Sequence, residues 1–123
     1  MTAGMLEHVN VTVSDPERTA DMLCRLFGWK KRWEGPAMLG GYTIHVGTEQ
    51  GYVAVYSYPP GKAPALANGR LNHIAIVVED LDAAERRVAE AGYTPHNHGA
   101  YEPGRRFYFN DHDDIEYEVV SYA

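Results

Sequence analysis

Two stretches of the chain alternate apolar and polar side chains, a pattern typical of a strand with one buried face. In residues 6–13 three valines lie on one face, and the polar face carries His8, Asn10 and Thr12. Residues 71–78 repeat the pattern, with His73 on the same face as Ala75 and Val77. We therefore predict two equivalent strands that each begin near a histidine.

Each of these strands leads into a predicted amphipathic helix. Asp15-Pro16 and Asp80 are typical residues of a helix start, and apolar residues then recur at helical spacing. Gly28 and Gly92 follow the last apolar position of each helix, where glycine commonly ends a helix. The two halves thus have the same strand-to-helix order.

Three strand-like segments follow each helix, at 29–34, 42–47 and 52–58 in the first half and 93–98, 105–110 and 115–122 in the second. Residues 99–104 are predicted to be a loop. The halves are offset by 65 residues at His8 and His73 and by 64 at Gly28 and Gly92. We predict an α+β fold of two βαβββ modules in one domain, 1–123. The modules span about 5–58 and about 71–122, joined by the Pro-, Gly- and Ala-rich linker 59–70.

Composition and charge exclude several classes of function. The 123 residues carry 11 Lys and Arg against 17 Asp and Glu, a net charge of −6 without a basic stripe, which argues against nucleic-acid binding. The longest apolar runs, such as 74–78, are far shorter than the ~20 residues that cross a bilayer. Cys24 is the single cysteine, and the N-terminus does not resemble a signal peptide. We expect a cytoplasmic protein with a small-molecule substrate and without a membrane or nucleic-acid partner.

The paired repeat, with a histidine on the first strand of each half and a glutamate on the last strand, resembles the vicinal oxygen chelate superfamily. This group includes glyoxalase I, the bleomycin-resistance proteins, the fosfomycin-resistance thiol transferases and the extradiol dioxygenases. The resemblance covers the whole chain. It is carried by HVNVTVSD at 8–15, LFGW at 26–29, NHIA at 72–75, FYFND at 107–111 and EVV at 118–120.

The resemblance implies a glyoxalase-like cavity that holds one divalent metal ion. Its implied ligands are His8, His73 and Glu118, a set of two histidines and one carboxylate that leaves positions open for substrate. The ion is Fe(II), Mn(II) or Zn(II), its identity being open. Small members of the superfamily usually complete or support their cavities through a partner subunit, so a homodimer is expected.

Ala54 departs from the family pattern. It stands where glyoxalase I has a glutamate that binds metal and moves the proton of the substrate, and an alanine does neither. Glyoxalase I activity is therefore not expected.

We expect a metal-dependent enzyme whose small substrate chelates the ion through vicinal oxygens. A dioxygenase-like reaction is slightly favoured, because Phe107-Tyr108, Asp111 and Glu118 resemble the extradiol signature. Within it, Tyr108 is expected to contact substrate and His98 to act as an acid or base. The alternatives are a Mn-dependent thiol transferase resembling the fosfomycin-resistance proteins and a non-catalytic drug-binding protein resembling the bleomycin-resistance proteins.

Three further residues are expected to bind substrate. Arg106 shares the face of Tyr108 by strict alternation and is favoured over Arg105 for an anionic group. Tyr56 belongs to an aromatic wall on one face of its strand, and Asn10 lies beside His8 on the polar face. His45 is given no role, and His96 and His112 are expected to be solvated.

Overall fold

The computed structural model of the protein describes residues 6–37, 40–63, 71, 73–101 and 104–123. The chain divides into two compact units, Met1–Ala67 and Asn68–Ala123, and the boundary falls within the predicted linker 59–70. Each unit contains one helix and one four-stranded mixed sheet.

The first unit runs β1 (His8–Thr12), α1 (Pro16–Phe27), β2 (Lys30–Pro36), β3 (Tyr42–Gly47) and β4 (Tyr52–Ser57). Its strands lie in the order β1-β4-β3-β2, with β1 and β4 parallel and the other pairs antiparallel. The second unit repeats this arrangement with β5 (Ile74–Val77), α2 (Leu81–Glu90), β6 (His96–Tyr101), β7 (Gly104–Asn110) and β8 (Glu116–Ser121), in the order β5-β8-β7-β6. The predicted α+β fold of two βαβββ modules is confirmed.

Helix α1 forms where the local signals predict it. The Asp15 carboxylate accepts a hydrogen bond from the backbone N–H of Arg18 at 3.3 Å, and Gly28 ends the helix with a φ of 69°. Its apolar side packs on β3 and β4, where Leu23 and Leu26 join a buried layer of β-branched side chains: Ile44, Val46, Val53 and Val55. The alternate residues of these strands lie on the opposite, helix-free face of the sheet.

Helix α2 covers the second sheet in the same way. Asp80 accepts from the N–H of Ala83 at 3.0 Å at the start of the helix. The apolar residues of the helix pack on β7 and β8, whose buried side chains on that side are Phe107, Phe109, Tyr117 and Val119. Because side chains alternate along a strand, Tyr108 and Glu118 lie on the opposite face.

The hairpin of β6 and β7 differs from its prediction. Strand β6 extends through residues 99–101, which pair with Arg106, Arg105 and Gly104, so the predicted loop is wrong at 99–101 and 104, while 102–103 lie outside the described residues. The register shifts between His96 and Gly99, and Asn97 adopts a left-handed φ of 54°. This bulge interrupts the alternation of side chains along β6.

Helices α1 and α2 have 12 and 10 residues. Within the described parts of the chain, no helix has the length and apolar character that a membrane span requires.

Candidate functional site

The centre of the candidate site is Glu118 on the helix-free face of the second sheet. The register places it between Ala75 of β5 and Tyr108 of β7. Its neighbours along β8, Tyr117 and Val119, are fully buried on the face that packs on α2. The carboxylate therefore points away from the core of its unit, yet the residue is only 9% exposed.

Two side chains lie at hydrogen-bonding or ion-pair distance from this carboxylate. His73, which immediately precedes β5, has its Nε2 3.3 Å from Oε1. Arg106 donates from Nη1 to Oε2 at 3.0 Å. The ring of Tyr108 meets that of His73 edge-on, with centroids 6.0 Å apart. Arg106, Glu118, His73 and Tyr108 thus form one contiguous group of side chains.

His8 has its own supporting contacts in the first unit. Its Nδ1 lies 2.7 Å from Oε1 of Glu7, and its ring stacks on Tyr52 with centroids 4.8 Å apart. The hydrogen bond with His8 is the main cause that lowers the pKa of the Glu7 carboxyl. An imidazole that donates from Nδ1 to a carboxylate has its Nε2 lone pair available to a metal ion or a substrate.

The register also identifies the counterpart of Glu118 in the first unit. Asn10 pairs with Ala54 between the parallel strands β1 and β4, as Ala75 pairs with Glu118 between β5 and β8. Ala54 is buried, and its other neighbour across the sheet is His45. The first unit therefore has no carboxylate at the position that Glu118 occupies in the second.

The structure places His98 on the opposite side of the sheet from Tyr108. Its Nε2 lies 2.9 Å from Oε2 of Glu85 on α2, and its ring stacks 6.0 Å from the buried ring of Phe107. This corrects the expectation that His98 serves as the acid or base beside Tyr108. His96 pairs in register with Tyr108, and its Nε2 lies 2.7 Å from Oδ1 of Asn110.

Asn10 and Tyr56 lie on the helix-free face of the first sheet. Asn10 is exposed and Tyr56 is partly exposed, with its ring edge-on to Tyr58 at 4.9 Å. A Cβ on Gly41 would come within 2.6 Å of the Tyr56 hydroxyl, so glycine at position 41 allows this ring to lie close to the backbone. Both side chains remain accessible to a ligand.

A β-bulge adds two residues to this face that the sequence pattern did not identify. The register of β2 shifts between Lys31 and Trp33. The Arg32 guanidinium carbon lies 4.4 Å above the ring of Tyr52, and Trp33 packs against His45 at 5.3 Å. A cation above an aromatic ring is a favourable contact that a ligand can extend.

His45, to which the sequence analysis gave no role, stacks on Tyr52 with centroids 4.6 Å apart. Burial lowers the pKa of the His45 imidazole, and the neighbouring His8 and Arg32 lower it further. His45 is therefore favoured in its neutral form within the stack.

Asp111, which belongs to the extradiol-like signature, has a structural function. Asp111 accepts hydrogen bonds from the N–H groups of Asp113 at 2.9 Å and Ile115 at 3.0 Å, and from the Tyr117 hydroxyl at 3.2 Å. Burial raises the pKa of its carboxyl. His112 is also enclosed, its side chain 7% exposed and its Nδ1 3.1 Å from the Tyr93 hydroxyl, so its predicted solvation is wrong.

His73 and Glu118 are spaced as two ligands of one divalent ion would be. Two ligands that each lie ~2.1 Å from one ion are separated by roughly 3.0 to 3.4 Å, depending on the angle between them. The 3.3 Å between His73 Nε2 and Glu118 Oε1 falls in this range. Among the residues described within either unit, no three His, Cys, Asp or Glu side chains form a complete metal site.

Comparison with protein families matches residues 5–119 to the family model described as the glyoxalase/bleomycin resistance protein/dioxygenase superfamily. Comparison with the curated proteins gives no match.

Several solved structures share the fold. A glyoxylase/bleomycin resistance protein/dioxygenase domain from Frankia sp. EAN1pec is 21% identical, with 98% of each chain covered and a TM-score of 0.81. TnmS3, an antibiotic-binding protein from Streptomyces sp. CB03234, is 21% identical over 100% of this chain and 99% of its own, with a TM-score of 0.79. The fosfomycin-resistance protein FosX from Listeria monocytogenes, crystallised with Mn(II) and sulfate, is 19% identical over 98% of this chain and 93% of its own, with a TM-score of 0.72.

Proposed function

Because the chain belongs to the glyoxalase/bleomycin resistance protein/dioxygenase superfamily, we propose that it is a metal-dependent enzyme whose small substrate chelates the ion through neighbouring oxygens. The observation that carries this proposal is the separation of 3.3 Å between His73 Nε2 and Glu118 Oε1. An imidazole and a carboxylate at this separation suit one divalent ion.

The proposed ligands are His8, His73 and Glu118. Glu7 supports the first, because its hydrogen bond holds the His8 imidazole in the tautomer with a free Nε2. A bound Fe(II), Mn(II) or Zn(II) would act as a Lewis acid toward the substrate oxygens. Mn(II) is the ion in the FosX crystal structure, which supports the use of a divalent metal in this superfamily.

Residues of this chain would orient the substrate. Tyr108 lies next to Glu118 across the sheet, so its hydroxyl is a suitable hydrogen-bond donor to a substrate oxygen. In the first unit, Asn10 supplies a further polar contact and Tyr56 an aromatic surface. Arg106 donates from Nη1 to Glu118 and would act on the substrate through its charge.

Observations on the structure and its relatives bear on two reaction classes. A dioxygenase-like reaction is supported by Tyr108 beside the candidate ligand Glu118. For the alternative of a Mn(II)-dependent thiol transferase, the likeness to FosX supports the use of Mn(II) and does not bear on the transfer of a thiol. The placement of His98 on the α2 side removes one argument for the first class.

Metal binding is tested by calorimetric titration of the full chain with Mn(II), Zn(II) and, anaerobically, Fe(II). His8→Ala, His73→Ala and Glu118→Ala should each weaken binding by more than the ~10–100-fold typical of an outer-shell residue. His98→Ala is the matched control, since this histidine contacts α2. Unchanged affinity in the three ligand variants would refute the proposal.

The reaction class is tested with the loaded protein. Oxygen uptake with a panel of catechols by the Fe(II) form, reduced in Tyr108→Phe, would support the dioxygenase-like reaction. Transfer of a thiol to fosfomycin by the Mn(II) form would support the transferase. Tight binding of an aromatic antibiotic by a protein that binds no metal would instead support a drug-binding function. Light scattering tests the proposed homodimer.

A further inference from the structure

The ion pair between Arg106 and Glu118 is the most enclosed ion pair of the candidate site. Their side chains are 12% and 11% exposed, and Nη1 donates to Oε2 at 3.0 Å. By contrast, the His8 and Glu7 side chains are 42% and 68% exposed. Since water screens buried charges poorly, the charge of Arg106 acts strongly on anything bound beside Glu118.

The charges of the proposed ligands do not balance a divalent ion. In the second unit the proposed ligands are one imidazole and one carboxylate, which supply a single negative charge, and Arg106 already compensates it. Glu116 lies on the same face two residues along β8, where it pairs in register with Asn110 and is more exposed to water than Glu118. Among the described residues of the second unit, Glu118 is thus the carboxylate that such an ion would contact, and Arg106 opposes its charge.

We infer that Arg106 makes the site bind a divalent ion weakly by itself and selects an anionic substrate, ideally a dianion that chelates through two neighbouring oxygens. This inference rests on the proposed metal-dependent function. The substrate would supply the charge that the ligands lack, so the ion and the anionic substrate would each strengthen the binding of the other.

Arg106 has two effects on a metal ligand, and they oppose each other. Its hydrogen bond orients the carboxylate with Oε1 toward His73, which favours metal binding, while its charge repels the ion. The orientation is also maintained by burial of Glu118 and by the position of β8 between β5 and β7. The carboxylate can therefore be oriented without Arg106, whereas the repulsion comes from the charge of Arg106 and acts on an ion of double charge. Repulsion is therefore the larger effect.

The test separates charge from hydrogen bonding at position 106. Arg106→Gln keeps an amide donor for Glu118 and removes the charge, whereas Arg106→Lys keeps the charge. Calorimetric titration with Mn(II) alone should show about tenfold tighter binding in the Gln variant than in the wild type and the Lys variant. Thermal unfolding of each variant, compared with wild type, shows whether the fold is retained, and Arg106→Met is the second neutral variant.

The second measurement uses oxalate and glycolate as probes of the Mn(II)-loaded protein. Both chelate through neighbouring oxygens, and oxalate carries one more negative charge. The wild type and the Lys variant should prefer oxalate to glycolate by about ten times more than the Gln variant does. The electron paramagnetic resonance spectrum of bound Mn(II) reports whether each probe reaches the ion.

The outcomes distinguish this inference from the proposed function. Equal or weaker Mn(II) binding in Arg106→Gln, with binding still lost in His73→Ala and Glu118→Ala, would overturn the inference and leave the metal site standing. Binding in the Gln variant alone would support both. Absence of binding in every variant would overturn both.

Discussion

Ala54 lies opposite Asn10 in the register position that Glu118 occupies opposite Ala75. A methyl group can neither ligate a metal ion nor accept a proton. The two units thus share an architecture and differ in chemistry, with the carboxylate confined to the second sheet.

The first prediction concerns glyoxalase activity. Without a base at position 54, isomerisation of the methylglyoxal–glutathione adduct should lack the ~10²–10⁴-fold rate contribution of a general base. Formation of lactoylglutathione by the Zn(II)- or Mn(II)-loaded protein checks this. A turnover within the usual enzyme range would show that another residue supplies the base, and Glu116 and Glu49 would be the first to substitute.

The second prediction follows from the lowered pKa of His45 in its stack with Tyr52. The unfolded chain protonates this imidazole near its ordinary pKa of 6.5, while the folded chain does so at a lower pH. The contribution of His45 to stability is therefore complete above pH 6.5, and it is lost as the pH falls from there through the lower pKa of the folded state. Urea unfolding at pH values from above to below 6.5 should show that His45→Gln loses less stability than wild type as the pH falls. His98→Gln, at an exposed histidine of the other unit, is the control, and identical pH profiles for His45→Gln and wild type would contradict the prediction.

The third prediction concerns the buried hydrogen bond from the Tyr117 hydroxyl to Asp111. Tyr117→Phe removes this donor while the carboxylate stays buried, so the free energy of unfolding should fall by about 1–3 kcal/mol. Chemical unfolding measures the change. Tyr122→Phe, at a residue that is 56% exposed, should have little effect. Equal losses in the two variants would mean that this bond contributes nothing specific.

The fourth prediction compares two glycines that are required for different reasons. Gly28 has a positive φ and open space around a Cβ, so Gly28→Ala should cost about 1–2 kcal/mol from conformation alone. A Cβ on Gly47 would clash with the Gly51 carbonyl and approach the Tyr52 Cα to 2.6 Å. Because these are backbone atoms, Gly47→Ala should cost about 3 kcal/mol or more. Urea unfolding of the two variants gives the comparison, and a smaller loss at position 47 would show that the β3–β4 turn yields easily.

Much of the fold could be predicted from the sequence because its signals are local. Strand β3 has its predicted bounds, 42–47, and α1 ends at Gly28 as predicted, since alternation and capping depend on neighbouring residues. Strand β6 begins three residues later than predicted. Its bulge at Asn97 depends on pairing with β7, which no local pattern records.

The candidate site was predictable where alternation is unbroken. The sequence pattern placed His73 at the first strand and Glu118 on the last strand of the second half, and the structure brings His73 Nε2 to 3.3 Å from Glu118 Oε1. Strict alternation from His96 would put His98 on the same face, but the bulge reverses this and turns His98 to α2. The ion pair of Arg106 with Glu118 escaped prediction because it joins side chains that are diagonal across two strands.

Strand β2 has a further consequence for the behaviour of the protein at high concentration. It is the outer strand opposite β1 in its sheet, and an outer strand offers unpaired backbone groups to other chains. Three consecutive basic residues, 30–32, a bulge and the terminal Pro36 all oppose such pairing. The bulge that brings Arg32 and Trp33 to the helix-free face of the first sheet thus also opposes pairing of this edge with other chains, which disfavours aggregation.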